Sequence, residues 1–297
     1  MSIPRYSVAV CTYNRADSLS RTLRSIGMAI SKCMEDDWEV LVVDNNSSDH
    51  TAQVCRDHAR DLPVKYVFEP EQGLSSARNR AIAECGGELL VFTDDDIIAS
   101  EDWMLEYTKG ISEFAGCAYL GGKILPLWEM PPPSWLKDER MPLLAGLLGC
   151  YDLGDSNRWL DDCDLDPYGA NFGITRELFE RIGLFRTDLG VKGMIPGRGE
   201  ESEYLGRARA AGLRGVYLGR ALCHHKIDRN HLALRHLYRY GVQKGIAELR
   251  LRQQPAEGSL IEELAYAIRG VVQLVRGRGD RFRQCVINMG IQRGLRC

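Results

Sequence analysis

Leu89-Leu90-Val91-Phe92-Thr93-Asp94-Asp95-Asp96 is the stretch that decides how this chain folds. Its first five residues carry no charge and read as a short strand buried on both faces, and three aspartates follow without a break. Adjacent carboxylates repel one another, so a cation is expected to neutralise them. Oxygen ligands favour Mg2+ or Mn2+ over zinc, and such a metal completes its shell with water and substrate phosphates, which points to a diphosphate ligand. An Asp-x-Asp alone is weak support, because acidic turns are common at strand ends; its neighbours decide.

Working outward, similar apolar runs occur at Tyr6 to Cys11, Glu39 to Val43, Lys65 to Glu69 and Cys117 to Ile124. Helical patterns separate them. Leu19, Leu23, Ile26 and Ile30 recur at steps of four, three and four behind a cap at Asp17 or Ser18, and further helices fit Thr51 to Arg60, Ser75 to Cys85 and Glu101 to Phe114. Strands alternating with helices predict an α/β fold, a Rossmann-like doubly wound, mostly parallel sheet in which ligands sit at the carboxyl ends of the strands. The polar clusters fall at those ends: Thr12-Tyr13-Asn14-Arg15, Asp44-Asn45-Asn46 and Asp94-Asp95-Asp96.

Beyond this region the stretch from Leu125 to Asp166 is rich in Pro and Trp without a clear period and reads as loop over the site. Regularity returns with helices near Arg176 to Ile182 and Glu200 to Ala211 and a short strand at Gly215 to Leu218. After His231 the chain reads as helical and arginine-rich. The expected division is 1–228 as the main domain, with a nucleotide-binding half at 1–124 and an acceptor half at 125–228, and 229–297 as a basic helical C-terminal extension.

The chain has 297 residues, 44% of them hydrophobic and 27% charged, which excludes a mostly disordered protein. No run of about 18 apolar residues or greasy leader is present, so neither a membrane span nor a secretion signal is expected. Ten scattered cysteines without a C-x-x-C pair fit reduced, buried thiols and a cytoplasmic setting. The net charge of −3 hides an asymmetry: residues 204–297 hold 18 Lys and Arg against 6 Asp and Glu. A basic tail beside an acidic body suggests an anionic partner, and ordinary solvated helices explain it equally well.

Four segments together resemble successive motifs of family 2 glycosyltransferases of GT-A fold. They are Val8-Ala9-Val10-Cys11-Thr12-Tyr13-Asn14-Arg15, Val42-Val43-Asp44-Asn45-Asn46-Ser47-Ser48-Asp49, Gly73-Leu74-Ser75-Ser76-Ala77-Arg78-Asn79 and Phe92-Thr93-Asp94-Asp95-Asp96. The resemblance runs to about residue 230. It implies an inverting enzyme that moves a sugar from a nucleotide diphosphate donor, with a UDP-linked one favoured, to a hydroxyl of a glycan, lipid-linked or small-molecule acceptor.

It further implies that Asp44 grips the base, that Thr12, Tyr13 and Asn14 line base and ribose, and that Arg15 and Asn46 belong to the same nucleotide-sugar site. Asp94 would face the nucleoside, while Asp95, in the donor site, is mainly structural. Arg78, on the helix after Gly73, is aimed at the same edge, to meet the diphosphate or pair with the aspartates. Asp96 would hold Mn2+ or Mg2+ with His224, the closer match of the pair His224-His225. Gly169, Ala170 and Asn171 resemble the acceptor side of the pocket. Gly199-Glu200-Glu201 resembles the family's Gly-Glu-Asp motif, with Glu201 standing where Asp is usual, so Glu201 is the candidate base and Glu200 its alternative.

The basic C-terminus is a candidate for peripheral contact at the inner face of the plasma membrane, through an apolar stripe at Leu260, Leu264, Ile268, Val271, Val272 and Val275. No nucleic acid is expected as a partner. Two other readings compete: a sugar nucleotidyltransferase, which lacks its Gly-rich basic loop at Thr12-Tyr13-Asn14, and a non-catalytic nucleotide-sugar-binding scaffold.

Overall fold

The computed structural model describes residues 5–33, 38–134, 136, 142–193, 197–251, 260–275 and 278–295. The expected βα alternation is present: β1 (Tyr6–Thr12), α1 (Ala16–Ile30), β2 (Trp38–Asp44), α2 (Thr51–His58), β3 (Val64–Phe68), α3 (Leu74–Glu84) and β4 (Leu89–Asp94). β1 pairs in parallel with both β2 and β4, and β2 with β3.

The two-residue period of these strands sorts their side chains onto two faces. Val8, Val10, Val40, Val42 and Val91 lie in one buried cluster with Leu19, Leu23 and Ile26 of α1. Ala9, Leu41, Val43, Leu90 and Phe92 lie in another with Ala77 and Ala81 of α3. Both faces are therefore covered, which is why the strands read as continuous apolar runs.

Short elements escaped the sequence reading. After β5 (Ile97–Ala99) come α4 (Trp103–Glu113), β6 (Tyr119–Trp128), α5 (Pro142–Leu148) and β7 (Arg158–Trp159). A 3₁₀ turn at Gly169–Asn171 leads into β8 (Phe172–Thr175), followed by α6 (Arg176–Ile182), α7 (Glu200–Ala210) and β9 (Gly215–Ile227). The strand order is β3-β2-β1-β4-β8-β6-β9-β5, with β7 on β9. β8 runs antiparallel to β4 and β6, so an antiparallel half adjoins the parallel one. The stretch expected to be loop thus contains α5, whose Pro142 suits a first helical turn, and β7.

The described residues cluster into two compact units. The first spans 1–125, 151–194 and 200–225 and contains every site residue discussed below; the second spans 126–150, 195–199 and 226–297. The second unit is helical: α8 (Leu234–Leu251), α9 (Leu260–Val275) and α10 (Gly279–Gly294). Its core joins Leu144, Leu147, Leu237, Tyr240 and Ile287. Backbones approach closely at Gly241, where an added Cβ would overlap the Ile287 carbonyl. Of the apolar stripe expected on α9, only Ile268 is described, and it is 68% exposed; the other five side chains lie outside the described residues. Among the described residues no helix is long and apolar enough to cross a membrane.

Candidate active site

Strand register brings the three polar clusters together. Thr12 lies opposite Asp44 and Cys11 opposite Asp94, so the ends of β1, β2 and β4 form one edge. The turns that leave this edge are stitched to each other. Asn14, at φ 53°, accepts from the Ser48 amide through Oδ1 at 2.7 Å, and its own amide donates to Ser47 Oγ at 2.9 Å. Asn46 is likewise left-handed, at φ 66°, and exposed, while Tyr13 is half-buried. Asn tolerates this region because its short polar side chain bonds locally.

Helix α1 has no cap from Asp17 or Ser18. Its first amide, Ala16 N, donates instead to Asp49 Oδ2 at 3.0 Å, and Asp49 Oδ1 accepts from Thr51 N at 3.0 Å. One carboxylate thereby caps α1 and α2, and burial pressure on it is outweighed by these bonds, so its acidity is increased. Asn45 plays a similar part for the next loop, donating to Glu71 O and accepting from Gly73 N, both at 2.7 Å.

Asp44 is buried, and both of its oxygens already accept a hydrogen bond: Oδ1 from Ser47 N at 2.9 Å, Oδ2 from Tyr66 OH at 2.8 Å. Each oxygen keeps a second lone pair for a ligand.

The three aspartates have different surroundings. Asp95 is buried and accepts from Thr12 Oγ1 at 2.7 Å; Arg15 Nη1 lies 2.9 Å from its other oxygen. Burial pushes Asp95 up to about 7 against the pull of Arg15. Burial also raises Asp94, with repulsion from Asp96 adding to it. Asp96 is opposite in behaviour: burial is outweighed by His225 and Arg15, which hold it well below the usual carboxylate range. Arg15 Nη2 is 2.6 Å from Asp96 Oδ2, whereas Oδ1 is buried with no hydrogen bond. His225 Nε2 lies 3.6 Å from that oxygen, an electrostatic contact too long for a hydrogen bond.

The histidine beside Asp96 is thus His225. β9 continues through both histidines, with His225 opposite Ile97 and His224 opposite Ile98 on β5, and successive strand residues point to opposite faces. The sequence reading, which ended this strand at Leu218, had favoured His224. Among the described residues no three His, Cys, Asp or Glu side chains converge to hold a metal unaided.

Arg78 was expected at the diphosphate or the aspartates. Its guanidinium is buried between Phe92 and Phe185, 5.9 and 5.6 Å from their ring centres, forks onto two glutamates, and pulls on the Asp94 carboxylate electrostatically. Nη1 donates to Glu200 Oε1 at 3.1 Å and Nη2 to Glu201 Oε1 at 2.9 Å. A methyl group on Gly169 would overlap Arg78 Nη2, so the glycine makes room for this fork. Burial, aided by repulsion from Glu201, pushes Glu200 up to about 8 against Arg78. Glu201 is also pushed up by burial, but the Arg78 guanidinium, with the neighbouring Glu200 adding to it, outweighs burial and lowers its pKa, which keeps Glu201 ionised. Glu200 Oε2 meets no partner of good geometry, while Glu201 is the more exposed of the two, at 21% against 5%.

Asn171, expected on the acceptor side, faces inward with its capacity used. Its Oδ1 accepts from Trp103 Nε1 and Tyr107 OH, both at 2.8 Å, and its Nδ2 donates to the Lys123 and Ala221 carbonyls at 2.9 and 2.7 Å. It locks the turn whose Ala170 carbonyl accepts from Thr93 Oγ1 at 2.8 Å, immediately before Asp94.

Three comparisons place this arrangement among known proteins. Residues 7–120 match the model of glycosyl transferase family 2. The chain is 27% identical over 229 residues to a glucosyl-dolichyl phosphate glucuronosyltransferase of Haloferax volcanii, covering 75% of this chain and 69% of that protein. It is 25% identical over 267 residues to the succinoglycan biosynthesis protein ExoM of Rhizobium meliloti, covering 88% and 77%. In fold it is similar to the mannosyltransferase PcManGT of Pyrobaculum calidifontis, solved with GDP-Man and Mn2+, with a TM-score of 0.66 at 20% identity over 99% of this chain and 88% of that one.

Proposed function

We propose, from the premise that this chain belongs to the family 2 glycosyltransferases of GT-A fold, that it is an inverting enzyme transferring a sugar from a nucleotide diphosphate donor to an acceptor hydroxyl. The observation that carries the reading is that Asp44 and Asp96 lie at the carboxyl edge of the parallel strands in the same compact unit as the hydrogen-bonded Arg78–Glu201 pair. A lipid-linked or glycan acceptor is consistent with the names of the relatives.

Asp44 receives the base. Its remaining lone pairs suit an imide N–H of uracil, and Tyr66 with Ser47 fixes the carboxylate in place. The open Asp96 Oδ1 and the neighbouring His225 fit a divalent cation that takes its other ligands from water and diphosphate. Bound there, Mn2+ or Mg2+ would supply positive charge where the leaving diphosphate gains negative charge.

Glu201 acts as the base. It is ionised and the more exposed of the glutamate pair, so it can accept the acceptor's proton as the hydroxyl oxygen attacks the anomeric carbon. The bond from that carbon to the diphosphate oxygen breaks, its electron pair leaves with the nucleoside diphosphate, and attack from the opposite side inverts the centre. Glu200 keeps its proton near neutral pH and serves as the structural half of the Arg78 fork.

The test is release of nucleoside diphosphate from a panel of UDP-, GDP- and dTDP-sugars with Mn2+ and candidate acceptors. Glu201→Gln should abolish turnover with donor binding intact. Undiminished turnover in that variant would sink the assignment.

A further inference from the structure

Arg15 lies at the mouth of the aspartate cluster, half exposed, and bridges two carboxylates at once: Nη1 to Asp95 Oδ1 at 2.9 Å and Nη2 to Asp96 Oδ2 at 2.6 Å. Its backbone is fixed, because Asn14 before it is tied to Ser47 and Ser48 and Ala16 after it to Asp49. The guanidinium therefore neutralises charge that a divalent cation would otherwise meet. It also claims the outer oxygen of Asp96, leaving only the buried Oδ1 open beside His225.

We propose that Arg15 is a resident counter-cation of this site, limiting Asp96 to one available oxygen so that a divalent metal binds tightly only when a diphosphate brings the missing ligands. This rests on the reading of Asp96 as a metal ligand. The physical basis is electrostatic and geometric: Arg15 lies against both carboxylates and weakens the attraction they offer a dication, and one surviving oxygen with one imidazole leaves most of the Mn2+ shell to water or substrate. Each diphosphate oxygen that arrives adds both a ligand and the negative charge that Arg15 removed. Metal and donor then bind with positive coupling, and bare metal does not fill the site first.

The experiment measures Mn2+ uptake by the full chain from the electron paramagnetic resonance signal of the free ion, alone and with UDP or GDP. Arg15→Gln is expected to bind Mn2+ alone about tenfold more tightly than wild type, from the charge restored to the pair. It should also gain less from either diphosphate. Arg15→Lys, which keeps the charge but cannot fork, should fall between. Arg15→Gln and wild type binding bare Mn2+ alike, while Asp96→Ala abolishes wild-type uptake, overturns this inference and leaves the metal site standing. A wild type that takes up no Mn2+ even with either diphosphate overturns both.

Discussion

Arg78 Nη2 donates to Glu201 Oε1 at 2.9 Å, and the guanidinium that makes this bond is 2% exposed. A buried charge-assisted fork of this kind fixes the direction of the carboxylate more firmly than a surface pair could. The candidate base is therefore held by a residue whose own position depends on Gly169, Phe92 and Phe185.

Gly169→Ala is the sharpest probe of that dependence. The added methyl cannot coexist with Arg78 Nη2 and would stand 2.6 Å from Glu201 Oε1, so the fork must shift. Displacement of a base by about 1 Å costs about 100-fold in rate. Steady-state kinetics should show kcat lowered by about that factor with KM for the donor little changed; a normal kcat would mean that Glu201 is not the base.

Glu200 gives a pH signature in stability. Its folded value, about 8, lies above the 4.5 of an ordinary glutamate. The folded chain thus holds a proton that the unfolded chain releases, so this contribution is complete below about 4.5 and is lost as pH rises toward about 8. Glu201 works in the opposite direction, but only as pH falls through the acid range. In Glu200→Gln the proton-dependent term is removed, and the decline in melting temperature between pH 5 and pH 8 should be shallower than in wild type. Parallel curves would place the Glu200 proton elsewhere.

What the sequence made legible follows from what is local. Short continuous apolar runs alternating with helical patterns placed β1 to β4 and α1 to α4 within about two residues, because that signal is written in neighbouring positions. β5 and β8 were hidden, since strands of three and four residues carry too little pattern and gain their pairing from partners far along the chain. The aspartate edge was visible as three strand ends. The partner of Arg78 was not, because Glu200 and Glu201 lie more than 120 positions away. The choice between His224 and His225 turned on strand parity, which a strand thought to end at Leu218 could not supply. The role of Asp49 was not legible, because nothing local reveals that one carboxylate takes the first amides of two helices, at Ala16 and Thr51.

Two polar side chains, Asn171 buried and Asp49 exposed, should prove costly to remove. Asn171→Ala leaves Trp103 Nε1, Tyr107 OH and two carbonyls without their partner, and a loss of about 3 kcal/mol is expected from that many orphaned groups. Asp49→Ala removes a cap from two helices, about 1 kcal/mol each. Urea unfolding would check both. A smaller effect for Asn171 than for Asp49 would contradict the ranking by burial.

His225 and His224 separate by the same parity that distinguished them. Burial lowers the pKa of His224, so that ring is neutral and would be a good ligand if it faced the cation; it is placed by register on the opposite side of β9 from His225. His225 Nε2, 3.6 Å from the open oxygen of Asp96, needs only a small adjustment to share a metal with it. His225→Ala should therefore weaken Mn2+ binding in the presence of diphosphate by about 10- to 100-fold, the usual effect of losing a ligand or its close support, while His224→Ala changes it by less than about threefold. Calorimetric titration of Mn2+ into each variant with UDP or GDP present gives the comparison directly. The reverse order would return the ligand role to His224, and with it the register of β9 against β5.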